Sequence, residues 1–215
     1  PPACRPIAVT PITQANELVN FVGQPANYID NMTVSMNFDS SSILNYIATD
    51  MFNRMVNIGT FQSINASIST VTTDAFVNCQ NLRKISMVHE LLTHLPASFA
   101  RQCIGLQYLG IYSTKLQTID VDAFKGLVNL QNLQLQFNQI ECLPPLLFQD
   151  NKALQSIELS YNKIKALHPI LFKPLIQVHH VGLRINQITY IPDLELDTRS
   201  SFYLHLQDNP INAIH

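Results

Sequence analysis

The chain has 215 residues, of which 47% are apolar and only 13% charged, with a net charge of −2. No basic patch or stripe is present, which argues against nucleic acid as a partner. No apolar run approaches the roughly 20 residues of a membrane-spanning helix.

In chain order, residues 1–27 stand apart. Pro1, Pro2, Pro6 and Pro11 oppose regular structure. The stretch Gln14–Val22, with Thr13 as its cap, predicts a short helix that covers the first repeat as an N-terminal cap segment. A start at Pro1, without Met or signal peptide, predicts a processed protein or a fragment. Residues 28–57 read as one degenerate repeat, with Leu44, Ile47 and Phe52 in core positions.

From residue 58 the apolar positions recur every 24 residues. One column is Ile58, Leu82, Leu106, Leu130, Leu154 and Val178, and a second is Phe61, Ile85, Leu109, Leu133, Ile157 and Val181. Self-similarity at this period predicts a solenoid of about seven to eight stacked units over residues 28–215. Within a unit such as Leu154–Gln177, the alternation Leu154, Ile157, Leu159 marks a short strand with one buried and one free face. Asn138, Asn162, Asn186 and Asn209 form a ladder where the chain leaves the strand. An amide both donates and accepts, so it can satisfy the turn's backbone groups. The ladder positions before them are Ala66, Glu90 and Thr114, which predicts a less regular N-terminal half. The last ladder step is 23 residues, one lost near Ser200. The chain stops at His215 partway through a unit without a recognisable C-terminal cap, which predicts an end-to-end partner or missing residues there.

The stretches Leu130–Ile140 (LQNLQLQFNQI) and Ala153–Ile164 (ALQSIELSYNKI) resemble the extracellular-type leucine-rich repeat. The 24-residue length and the Phe124, Phe148, Phe172 column are similar to secreted arthropod immune leucine-rich-repeat proteins and Toll-like ectodomains. The phrase AFVNCQNL at 75–82 also resembles repeats of some microbial surfaces. The resemblance implies an α/β leucine-rich-repeat solenoid: a curved parallel β-sheet on the concave face, with irregular or short helical segments on the convex face. It also implies protein or glycan binding on the concave sheet, without naming a ligand. Only Cys4 lies near the end where the family's caps usually carry paired cysteines.

Residues between the inward strand positions face outward in rows. Tyr108, Tyr112, Phe137 and Tyr161 make an aromatic band, and His180, Arg184, Tyr203 and His205 cluster toward the C-terminal end. Aromatics and Arg are the usual anchors of interfaces, although Tyr and Phe also simply suit strands. Gly110 and Gly182 predict shallow hollows beside them. Asn31–Met32–Thr33 and Asn65–Ala66–Ser67 are glycosylation sequons, at a frequency that chance alone supplies in a chain rich in Asn, Ser and Thr. Cys79 and Cys103 share a column one unit apart, at a spacing that suits a disulfide, while their parallel Cβ directions oppose one. As buried apolar fillers they would match Leu127 and Leu175 of the same column. The pairing of Cys4 and Cys142 stays open.

His89–Glu90–Leu91–Leu92–Thr93–His94 has its histidines five apart, where the zinc-protease motif needs four. No metal site, cofactor or catalytic residue is expected. The leading expectation is a secreted, non-enzymatic recognition module, possessing a protein or glycan ligand, in innate immunity or within a receptor. The rivals are a self-associating extracellular structural, coat or storage protein, and an intracellular adaptor scaffold.

Overall fold

The computed structural model describes residues 34–40, 46–47, 58–196 and 202–214. Its strands, in chain order, are β1 (Val34–Phe38), β2 (Tyr46–Ile47), β3 (Ile58–Ile64), β4 (Thr70–Val71), β5 (Lys84–Val88), β6 (His94–Leu95) and β7 (Tyr108–Tyr112). They continue as β8 (Thr118–Ile119), β9 (Asn132–Gln134), β10 (Ser156–Glu158), β11 (His180–Gly182), β12 (Tyr190–Ile191), β13 (Tyr203–His205) and β14 (Ala213–Ile214).

Eight of these form one parallel sheet in the order β1-β3-β5-β7-β9-β10-β11-β13. Successive strands pair at the repeat step, Thr60 with Lys84, Lys84 with Tyr108, Tyr108 with Asn132. The 23-residue step also holds, since His180 pairs with Tyr203. The β1–β3 pair carries a register shift between Val34 and Ser35, as expected of a degenerate first unit. Ile47 of that unit is fully buried and pairs with Val71. Leu44, Phe52, the expected helix at 14–22, Cys4 and Asn31 lie outside the described residues.

The three small two-stranded sheets, β2-β4, β6-β8 and β12-β14, run along a second side of the solenoid. The rest of each unit is turns. Irregular or short helical segments were expected on the convex side, and the irregular form is what occurs, with no helix among the described residues. Between Ile119 and Asn132, for instance, the return runs through turns and irregular chain.

Inward-facing Leu, Ile and Val of every unit join a single core cluster. Burial of each such side chain stabilises the fold by roughly 1.5–3 kcal/mol. Phe124, Phe148 and Phe172 stack face to face, with centroids 6.1 Å apart in each pair. Ala100 holds the equivalent place one unit earlier, and neighbouring Phe99 fills the space edge-on against Phe76.

Where the Asn ladder is intact its bonding repeats. Asn162 Oδ1 accepts from Ile140 N–H at 3.0 Å, and its Nδ2 donates to the carbonyls of Leu135 (2.9 Å) and Leu159 (3.0 Å). Asn186 and Asn209 do the same one and two units on. Of the positions expected to break the ladder, Glu90 and Thr114 replace its bonds by other means. Glu90, almost wholly buried, accepts from Ala66 N–H at 3.1 Å and Ile68 N–H at 2.8 Å. Thr114 donates its hydroxyl to Asn138 Oδ1 at 2.6 Å and accepts from Leu116 N–H at 3.2 Å.

Cys79 and Cys103 are joined by a disulfide, with Cα atoms 4.8 Å apart. That separation matches the spacing of adjacent strands, and the parallel Cβ directions expected to oppose the bond do not prevent it. Cys142 is disulfide-bonded as well. One member of the Cys79–Cys103 column is polar. Asn151, fully buried, donates to the carbonyls of Phe124 (2.9 Å) and Leu127 (3.1 Å), tying two units together on the turn side.

Candidate functional site: the outer face of the main sheet

Alternation along each strand leaves residues 108, 110 and 112, and their equivalents, on the sheet's outer face. The register brings together Thr60, Lys84, Tyr108, Asn132, Ser156, His180 and Tyr203 in one row, in the expected order. The adjacent row runs Gln62, Ser86, Gly110, Gln134, Glu158, Gly182, His205.

Three zones follow. On the N-terminal strands the face is plain, with exposed Lys84 and half-exposed Ile64. The middle zone is aromatic. Tyr108 and Tyr112 are half-buried, and Phe137 and Tyr161 are 51% and 43% exposed. The Phe137 and Tyr161 rings stack with centroids 4.3 Å apart and planes 19° from parallel. The expected hollow at Gly110 does not exist. A Cβ built there would stand 2.9 Å from the Tyr108 ring and hydroxyl and 3.1 Å from the Tyr112 ring. The glycine lets both rings lie down over the backbone, so the pair forms a platform. Lys84 Nζ sits 5.0 Å from the centre of the Tyr108 ring. Burial, and then neighbouring Tyr112, hold the Tyr108 phenol above its ordinary pKa, so it stays a neutral hydrogen-bond donor.

The C-terminal zone is ionisable. The His180 and His205 rings lie 4.8 Å apart, and His180 Nε2 is 3.5 Å from Glu158 Oε2. The Glu158 carboxylate fills the place over Gly182, so the second expected hollow is closed too. Its other oxygen accepts from Ser160 N–H at 2.9 Å. Arg184 is half-exposed and faces Asp208 at 3.9 Å. Tyr203 is 62% exposed and stands at the edge of the sheet.

A backbone feature that spacing did not reveal runs along the rim. Asn65, His89, Ser113, Phe137, Tyr161, Ile185 and Asp208 all have φ between 51° and 62°. Each stands just before a ladder position, where the chain turns off the sheet. Left-handed backbone suits Asn and Asp and strains bulky or β-branched residues. Phe137, Tyr161 and Ile185 thus occupy a conformation their side chains do not favour. Only the preference of Asn65 and Asp208 for such turns hinted at it in the sequence.

Other candidates resolve into structural roles. Asn65 is exposed on this rim beside buried Ala66. His94 bonds Thr118 Oγ1 at 2.8 Å and lies 3.6 Å from Asp120, while Glu90 of the same stretch is inside the ladder. No group of three or more His, Cys, Asp and Glu that could hold a metal occurs among the described residues. No helix there is long and apolar enough to cross a membrane.

No curated protein sequence matches the chain. Many solved structures do match its shape. TLR13, solved in complex with the RNA ssRNA13, superposes with a TM-score of 0.74 and 20% identity, over 81% of this chain and 25% of that one. Toll, from a Drosophila Toll–Spatzle complex, gives 0.65 and 19%, over 83% of this chain and 27% of that one. The leucine-rich-repeat domain of APL1 gives 0.70 and 17%, over 81% and 44%. The chain therefore spans about a quarter of the length of TLR13 and Toll, and under half of the APL1 domain. At these identities the likeness shows the fold alone. The leucine rich repeat family model matches residues 81–140, 104–164 and 129–188, which together make up half of the sequence. With its repeat step, strand pairing and Asn ladder all in that pattern, the chain belongs to the leucine-rich-repeat family.

Proposed function

We propose that the chain is a secreted, non-enzymatic recognition module that binds a protein or glycan through the concave side of its sheet, in innate immunity or as part of a receptor. The observation that carries this is the aromatic platform of Tyr108, Tyr112, Phe137 and Tyr161 at the centre of a preformed parallel sheet. Two ring pairs, Tyr108 with Tyr112 and Phe137 with Tyr161, flank the β9 carboxamides as anchors that need little ordering on binding. His180, Arg184, Tyr203 and His205 extend the contact surface on the C-terminal side. Arrangement on solenoid strands favours many shallow contacts over one deep pocket. The Cys79–Cys103 disulfide supports an oxidising, extracellular setting, and Asn31 and Asn65 are the glycosylation acceptors this setting would use. The similar ectodomain structures include a Toll–Spatzle complex and an LRIM1/APL1C complex, so a protein partner or assembly is in keeping with the fold.

The test is the double variant Tyr112→Ala with Phe137→Ala. Removing two interface anchors should weaken affinity for the native ligand by roughly tenfold or more. A folded double variant that binds as tightly as the parent would sink the platform as the binding site.

A further inference from the structure

We infer that the ligand of the platform is an uncharged oligosaccharide, lying across β7, β9 and β10. This rests on the recognition role above and narrows it to one ligand chemistry.

The inference comes from what stands between the aromatic rings. On β9 and the residues just after it, three consecutive outward positions are carboxamides, Asn132, Gln134 and Gln136, and Phe137 follows directly. The neighbouring strand β7 supplies Tyr108 and Tyr112. On the other side β10 brings Ser156 and Glu158, whose carboxylate turns away toward His180 and Gly182, with Tyr161 beyond its exit. Neither β7 nor β9 carries an ionisable group other than the two tyrosines. The nearest cations on the face, Lys84 and Arg184, stand on opposite sides of this zone, with β7, β9 and β10 between them. Arg184 is paired with Asp208 and Lys84 sits over Tyr108.

An acidic polymer or a nucleic acid would need cations along its track, and this track has none. A protein partner would be expected to meet an apolar centre with a polar rim. Here the order is reversed, with carboxamides at the centre and aromatic rings around them. Sugar hydroxyls both donate and accept hydrogen bonds, as do carboxamides. The C–H face of a pyranose ring packs on an aromatic face, and the rings laid over Gly110 and stacked at Phe137 and Tyr161 offer such faces. One carboxamide is also left wanting. Gln136 Oε1 is buried with no hydrogen-bond partner, so its amide gains by turning outward to a ligand hydroxyl.

The test is calorimetric titration of the disulfide-intact protein with neutral hexasaccharides (cello-, chito-, laminari-, malto- and mannohexaose) and with acidic oligogalacturonate. At least one neutral sugar should bind, with affinity changing less than about twofold between roughly 50 and 500 mM salt, because no ion pair is involved. Tyr112→Ala and Gln134→Ala should each weaken that binding about tenfold. Val121→Ala, on the turn side, should leave it unchanged. No neutral sugar bound at millimolar concentration, or acidic sugar bound alone with affinity falling as salt rises, would overturn the proposal. So would neutral-sugar binding indifferent to both Tyr112→Ala and Gln134→Ala. A protein partner that loses affinity with Tyr112→Ala while the sugars stay silent would refute the saccharide ligand and leave the recognition role standing.

Discussion

The two halves of the solenoid solve one problem by different chemistry. From residue 130 onward each unit repeats the last. Phenylalanines stack flat, and from Asn162 onward each ladder Asn makes the same three bonds to its own turn and the previous one. Between residues 58 and 116 the rings meet edge-on, the ladder uses Glu90 and Thr114, and a disulfide joins two turns. The common requirement is that every strand exit must satisfy buried backbone groups. The regular half meets it with one amide that donates and accepts. The irregular half divides the acceptor role between side chains and carries the Cys79–Cys103 link between two successive turns. The aromatic platform proposed for binding straddles the junction, on β7, β9 and β10, where the sheet register is unbroken.

This contrast can be broken at chosen points. Asn162→Ala should have the largest effect. It strands the Ile140 N–H and the Leu135 and Leu159 carbonyls in the interior, for a loss of about 4 kcal/mol in urea unfolding. Loss below about 1 kcal/mol would show that the ladder is not a main support. Replacing Cys79 and Cys103 by Ala together opens a 24-residue loop and should cost about 3 kcal/mol. Hydrogen exchange should then rise in residues 70–105 and stay unchanged beyond residue 130; uniform acceleration would contradict the division into halves.

Smaller effects sharpen it. Glu90→Asn installs the ladder residue of the regular half and removes a buried carboxylate. It should stabilise by about 1 kcal/mol, as the new amide gains donors toward neighbouring carbonyls. Destabilisation would mean that the Ala66 and Ile68 N–H groups need the longer side chain. At the rim, Ile185→Asn should gain about 1 kcal/mol by relieving left-handed strain at a β-branched residue. Phe137→Asn relieves the same strain but loses the ring stack with Tyr161, so its stability should change by less than about 0.5 kcal/mol while ligand affinity falls. A gain at 137 equal to that at 185 would show that the ring pair contributes nothing to the folded state.

Much of this architecture is legible in the sequence because side-chain direction on a strand alternates strictly. The outer rows could be written from the 24-residue step, and even the 23-residue step between Asn186 and Asn209 fell into register. What escaped depends on side-chain length and torsion. Glu90 looked like a break in the ladder, yet its longer carboxylate reaches the same N–H group an Asn would. Gly110 and Gly182 looked like hollows, because spacing does not tell which way Tyr108, Tyr112 and Glu158 lie. The cysteine pair was visible as a column, but not that its two sulfurs are bonded. The left-handed rim is a backbone property of the turn, and Phe137, Tyr161 and Ile185 gave no sign of it.

The most direct test of the sheet face as the binding surface is photo-crosslinking with benzoylphenylalanine placed at Gln134 on the sheet or at Val121 on the turn side. The account predicts a ligand adduct from position 134 that Tyr112→Ala with Phe137→Ala abolishes, and none from position 121. An adduct from position 121 alone would place the ligand on the other side of the solenoid and contradict it.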